Sequence, residues 1–328
     1  MLFDDSPTSS LTGIARLAAR SPVLEAKSQV RYFEIETRSV LNRTKPGMPF
    51  RWTINPYRGC EFGCKYCYAR YTHEFMGIED SSLFEDQIYA KSDLVPILRQ
   101  EIRKTDPADA IAIGTATDPY QPAERRFRRT RSLLDVFAGG KGRQLSITTK
   151  SDLVVRDIDL LLRIAEGNSI SVNITVTTLD RDLARMLEPR APRPDLRLKA
   201  VSTLAQAGIH VGVFPNPILP LITDSERRLD LLARAAREAG ASYFGGGLLF
   251  LMPAARKVFF PFLAQRFPHL LKRYEERYTR EAYLRGDYAA SIKQRVNDIR
   301  RRHGLNVAPL EYRPSPAEPE QPSLFAIR

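Results

Sequence analysis

The chain has three cysteines in 328 residues, and all three fall within "YRGCEFGCKYCYAR", at Cys60, Cys64 and Cys67. A thiolate is a nucleophile and a ligand for soft metals. Three thiols so close together, and odd in number, argue against a disulfide framework and for metal or reactive chemistry. The count separates the metal cases. A structural zinc site and an ordinary electron-transfer cluster each take four protein ligands. Three cysteines hold three irons of a [4Fe–4S] cube and leave the fourth iron open to a small molecule. The zinc alternative, a Cys3His site, would draw on His73 as the nearest histidine.

Chemistry of this kind needs a rigid support. From about residue 50 the chain alternates β-rich runs with helical patterns: "RWTINPY" (51–57), "AIAIGTAT" (110–117), "QLSITTK" (144–150), "SISVNITVTTL" (169–179), "IHVGVFPNPI" (209–218) and "SYFGGGLLFL" (242–251). Each run is nearly continuous in apolar or β-branched residues, as parallel strands buried on both faces are. The stretches between them start on polar or capping residues, Ser92 among them, carry apolar residues at helical spacing and often close on glycine. Six strands alternating with helices predict an α/β fold with a parallel sheet. Whether such a sheet curls into a barrel or stays open, its functional residues gather at the C-terminal ends of the strands. "NPYRGC", "TDPYQP", "TKSD", "TTLD" and "PNPILP" all stand there.

C-x3-C-x2-C with the aromatic Tyr66 before the last cysteine resembles the cluster-binding motif of radical S-adenosylmethionine (SAM) enzymes. The resemblance covers about residues 30–255. It implies a partial (β/α)6 TIM-like barrel, a [4Fe–4S] cluster on Cys60, Cys64 and Cys67, and SAM chelated by the open iron. It also implies an external electron donor and reductive cleavage of SAM to a 5′-deoxyadenosyl radical that abstracts hydrogen. "NPYRGCEFGCKYCYAR", "GTATDPYQPAE", "TTKSDLVVRDIDLL" and "FPNPILPLITD" are together similar to the branch related to spore photoproduct lyase, which repairs a thymine dimer in DNA.

By strand position the resemblance implies further SAM contacts. Tyr66 lies against the adenine through its backbone. Thr117 and Asp118 stand where relatives hold the amino group, although many relatives have Gly-Gly-Glu where this chain reads "GTATDP". Lys150 meets the carboxylate as a point charge. Asn173 and Thr175 contact the ribose or carboxylate. Read without the resemblance, Thr117–Asp118–Pro119 ends a strand in a turn, Lys150 is solvated at a helix start and Asn173 is a satisfied core amide. The lyase branch also uses a further cysteine to return hydrogen to its product. Here that stretch holds Ala116, which leaves Tyr68 and Tyr120 as candidates for a radical relay.

The balance of 50 basic to 38 acidic residues gives a formal charge of +12, which favours an acidic partner such as a nucleic acid. Arg125, Arg126, Arg128, Arg129 and Arg131 cluster at a helix start, where cations oppose the helix dipole and call for an anion, so they are candidate nucleic-acid contacts. The alternatives are a solvated helix face with Glu124 as local counter-charge and, for the chain as a whole, a radical SAM enzyme that modifies a protein, peptide or small molecule. A zinc-stabilised nucleic-acid-binding protein is the non-enzymatic reading. The expected organisation is a loosely ordered segment over 1–30, the core over 31–255, a helical extension over 256–306 and a disordered tail over 307–328. "QPSLF" in that tail, with Gln321, Leu324 and Phe325, resembles the peptide that docks on the bacterial DNA sliding clamp. No apolar run reaches membrane-spanning length and no secretory signal opens the chain, so the expected location is the cytoplasm.

Overall fold

The computed structural model describes residues 11–21, 23–27 and 30–306. Its first six strands are β1 (Val23–Lys27), β2 (Val30–Ile35), β3 (Asn42–Arg43), β4 (Trp52–Ile54), β5 (Tyr57–Arg58) and β6 (Gln87–Lys91). The next five are β7 (Ile111–Ile113), β8 (Gln144–Thr149), β9 (Ser169–Thr175), β10 (His210–Phe214) and β11 (Tyr243–Phe244). They form a seven-stranded sheet in the order β11-β10-β9-β8-β7-β4-β3 and a four-stranded sheet in the order β1-β2-β6-β5.

The six strands read from the sequence are β4, β7, β8, β9, β10 and β11. They pair in parallel and in chain order. A doubly wound sheet would reverse direction from a central strand. This one advances strand by strand, which is the winding of a (β/α) barrel. Its outer strands are β3, antiparallel to β4, and β11, and these are not hydrogen-bonded to each other among the described residues. The barrel is therefore partial. Ile113, Ile147, Val172, Ile174, Val211 and Val213 are fully buried, and Leu134, Leu161, Leu204 and Ala233 cover them from the helical layer. Burial of each large aliphatic side chain contributes about 1.5–3 kcal/mol.

Side-chain caps set two of the helix starts. Ser225 accepts from Arg228 N at 3.4 Å and Asp180 from Leu183 N at 3.1 Å, each satisfying an end donor. Ser92 does not cap as expected. Asp93 turns the chain at φ 50°, the helix Leu94–Ile102 begins after it, and Ser92 N instead bonds Ile35 O at 3.0 Å.

The smaller sheet is absent from the sequence reading. It places β5 antiparallel to β6, so the chain entering the cysteine loop is held to a second sheet as well as to the barrel. A helix, Gly13–Arg20, lies within the segment expected to be loosely ordered, and its Ile14, Leu17 and Ala18 pack with Ile35, Met76 and Tyr89. Three apolar residues suffice because the sheet offers them a ready face. Beyond the barrel come helices Pro253–Arg266, Pro268–Tyr278 and Gly286–Arg302. Phe259, Leu263, Tyr274 and Tyr278 of this extension share one core with Phe62, Leu187 and Leu219, so it backs the cysteine loop. Gln321, Leu324 and Phe325 lie outside the described residues. No helix among the described residues is long and apolar enough to cross a membrane.

Candidate active site

After β4 the chain pairs briefly as β5 and turns into the cysteine loop at Gly59. Its φ is +79°, and a Cβ there would stand 2.5 Å from the Gln87 carbonyl oxygen, so the position requires glycine. The loop is then fixed by backbone bonds: Cys60 N to Phe84 O at 3.0 Å, Lys65 N to Leu187 O at 2.9 Å and Arg190 N to Phe62 O at 3.2 Å. Arg70 is fully buried behind it. Its guanidinium donates to Cys64 O at 3.1 Å and to Ser81 O at 2.6 Å, and pairs with Glu85.

Cys60, Cys64 and Cys67 all line one cavity of about 690 Å³ at the C-terminal end of the barrel strands, with Tyr66, Tyr68, Thr117, Asp118, Lys150 and Thr175 in the same wall. Burial pushes all three thiols up, Cys64 to about 12, and at Cys60 and Cys64 neighbouring thiols add to it. Lys150 opposes the rise at Cys64 and Cys67, and Arg70 opposes it at Cys67. Cys60 and Cys64 are buried and Cys67 is half-buried; thiols so placed are costly to ionise unless a metal stabilises the thiolate.

Spacing weighs against a single shared metal ion. Thiolates on one zinc ion sit roughly 4 Å apart. Among the described residues no three His, Cys, Asp or Glu side chains come close enough to share one ion. An iron–sulfur cube has no such need, because each thiolate binds its own iron. His73 is committed elsewhere: fully buried, its Nε2 lies 3.1 Å from Gln87 O, its ring meets Phe84 and Tyr89 edge-on, and burial lowers its pKa to about 4. The Cys3His zinc site is not built.

The other expected residues divide. Thr117 Oγ1 donates to Gly59 O at 2.6 Å, tying β7 to the cysteine loop. Asp118 is a clasp between strand ends, accepting from Thr149 Oγ1 at 2.6 Å, Lys150 N at 2.7 Å and Tyr120 N at 2.9 Å. Burial pushes its carboxyl up and these donors oppose the rise. Lys150 Nζ stands 5.7 Å from the Tyr66 ring centroid and 3.9 Å from Glu188 Oε1. Asn173 does not line the cavity. Its amide donates to Thr148 Oγ1 at 3.2 Å and accepts from Tyr243 O–H at 2.6 Å, the arrangement of a satisfied core amide. Tyr68 lines the cavity and its hydroxyl donates to Thr115 O. Tyr120 is buried in the core beneath the helices and does not line the cavity. Ala116 is in the cavity wall.

The sequence reading missed Glu188 and Arg197. Both are buried, and Arg197 Nη2 pairs with Glu188 Oε2 at 2.5 Å. Thr177 Oγ1 donates to Glu188 Oε1 at 2.6 Å, and Tyr66 O–H donates to the same carboxylate. Burial pushes the Glu188 carboxyl up, but Arg197, Lys150 and the two hydroxyls outweigh it and hold it below the usual range. This ion pair fixes Tyr66 between two cysteines and leaves Lys150 with only a long contact.

The arginine cluster is also rearranged. The segment forms two helices, Pro122–Phe127 and Arg129–Ala138, with Arg128 at φ 50° between them. Glu124 accepts from Thr130 N at 2.8 Å and Arg131 N at 3.1 Å, so the helix start already has its anion. Arg129 pairs with Glu34 at 2.7 Å and Arg131 with Asp157 and Asp159. Arg125, Arg126 and Arg128 are exposed.

The profile of the Radical SAM superfamily matches residues 54–235. An uncharacterised protein of Mycobacterium tuberculosis is 33% identical over 95% of this chain and 92% of its own length, and one of Methanocaldococcus jannaschii is 32% identical over 61% of this chain and 72% of its own length. Among solved structures, a cysteine-to-serine mutant of spore photoproduct lyase superposes with a TM-score of 0.60 at 19% identity, covering 91% of this chain and 83% of that one. A second mutant of that lyase, with bound AdoMet (SAM) and dinucleoside spore photoproduct, superposes with a TM-score of 0.59 at 17% identity, covering 88% and 85%.

Proposed function

The chain belongs to the radical SAM superfamily, and on that premise we propose that Cys60, Cys64 and Cys67 hold the [4Fe–4S] cluster this family uses, with SAM in the cavity beside them and a nucleic acid as substrate. The chain is an enzyme. The observation that carries the reading is the convergence of three thiols and the Lys150 ammonium on one cavity at the strand ends. When bound, the cluster and SAM supply reductive cleavage of the sulfonium and hydrogen abstraction from an unactivated C–H bond.

The residues of this chain bind, orient and keep out water. Lys150 takes the SAM carboxylate as a point charge. Asp118, already bonded by three donors, holds the ends of β7 and β8 in register beside it. Tyr66, held by Glu188, closes the floor between the cysteines. Nucleic acid is supported by the charge of +12 and by the fold shared with a lyase solved with a dinucleoside. The chain departs from that lyase at the hydrogen-return step. The chain has no fourth cysteine and Ala116 offers no thiol; the hydroxyl of Tyr68, next to Cys67 in the cavity wall, would serve instead.

Metal analysis tests the premise about the cysteines. Anaerobic reconstitution of the wild type is expected to yield about four irons and four sulfides per chain, and Cys64→Ala to lose most of both. One zinc per chain and no sulfide would contradict it.

A further inference from the structure

Phe250 lines the cavity, and its ring is the middle of an aromatic ladder. On the inner side Tyr68, next to Cys67, has its centroid 5.7 Å away. On the outer side Tyr283 stacks on it at 4.1 Å and 20°. Tyr283 lies on the link between helices Pro268–Tyr278 and Gly286–Arg302, and Leu251 N to Ala282 O at 2.9 Å fastens that link beside Phe250. Tyr283 is 56% exposed, and its hydroxyl makes no hydrogen bond to the described residues. A large aromatic stacked on a cavity-lining ring yet left open to water is a contact surface.

The charges nearby select the contact. Lys45 lines the cavity and is exposed, and Arg280, three residues before Tyr283, is exposed too; neither has an ion pair among the described residues. Asp118 is the one carboxylate among the described residues lining the cavity, and protein donors occupy it. Resting on the nucleic-acid reading above, we propose that Tyr283 and Phe250 form a stacking platform for an unpaired nucleobase, with Lys45 and Arg280 meeting the adjoining phosphates. A base offers a flat π-face and brings its own anion, which an aromatic peptide side chain does not. Inside a duplex both faces of the base are covered, so the occupant is single-stranded or unstacked.

The test is equilibrium binding of a short fluorescein-labelled oligothymidylate to the reconstituted full chain, across a salt series. Tyr283→Ala is expected to weaken binding roughly ten- to a hundredfold with an unchanged salt slope, since stacking releases no counterions. Tyr283→Phe, which keeps the ring, is expected to bind as wild type, and Lys45→Ala to bind less tightly with a shallower slope. Wild-type affinity in Tyr283→Ala would overturn the platform while leaving the nucleic-acid reading in place. Failure of the wild type to bind at low salt, or preference for an aromatic peptide, would overturn both.

Discussion

Methionine in place of Arg197 is expected to cost about 3–5 kcal/mol of unfolding free energy. The cause is the partner left behind. Glu188 is 2% exposed, so without Arg197 its charge stays buried with only hydroxyl donors and the distant Lys150 to offset it. Chemical denaturation of the metal-free protein measures the loss. Adding Glu188→Gln to Arg197→Met removes the orphaned charge and should restore most of the stability. A single variant within about 1 kcal/mol of wild type, the range of an exposed pair, would show that the pair is not isolated from water.

Methionine in place of Lys150 is expected to weaken SAM binding about ten- to a hundredfold, because a charge-assisted contact to a carboxylate contributes about 1.5–3 kcal/mol. The ammonium is available for this role. Its nearest carboxylate is 3.9 Å away and already engaged with Arg197, Thr177 and Tyr66. Calorimetric titration of the reconstituted variant with SAM reads the affinity, and an unchanged visible absorbance shows that the cluster is still held. Affinity within about twofold of wild type would remove Lys150 from the site.

The barrel strands were legible because a parallel strand buried on both faces leaves a continuous apolar run, and six such runs carry their own order. β5 has two residues and β2 is interrupted by Arg31 and Glu34, so the smaller sheet leaves no comparable trace. At the site, the cysteines were legible by scarcity and spacing. Glu188 and Arg197 were not, since charged residues are common in this chain and only folding shows which are buried. Strand position alone did not separate Asn173 from Thr175. Asn173 shares a strand face with Thr175, two residues on, but sits deeper in the barrel where Tyr243 and Thr148 take its amide. Tyr120 follows the cavity residue Asp118 by only two positions, yet the turn at Pro119 directs it into the helical layer. Helix Arg129–Ala138 receives its anion from Glu124, the counter-charge that the sequence already offered a few residues before it.

The central claim is that three thiols on one loop hold a cluster that cleaves SAM. Its most direct test is 5′-deoxyadenosine formation by anaerobically reconstituted protein given dithionite and SAM, with Cys64→Ala beside it. The account predicts deoxyadenosine from the wild type and none above background from the variant. Equal yields from the two, or none from a wild type carrying a full complement of iron and sulfide, would contradict it.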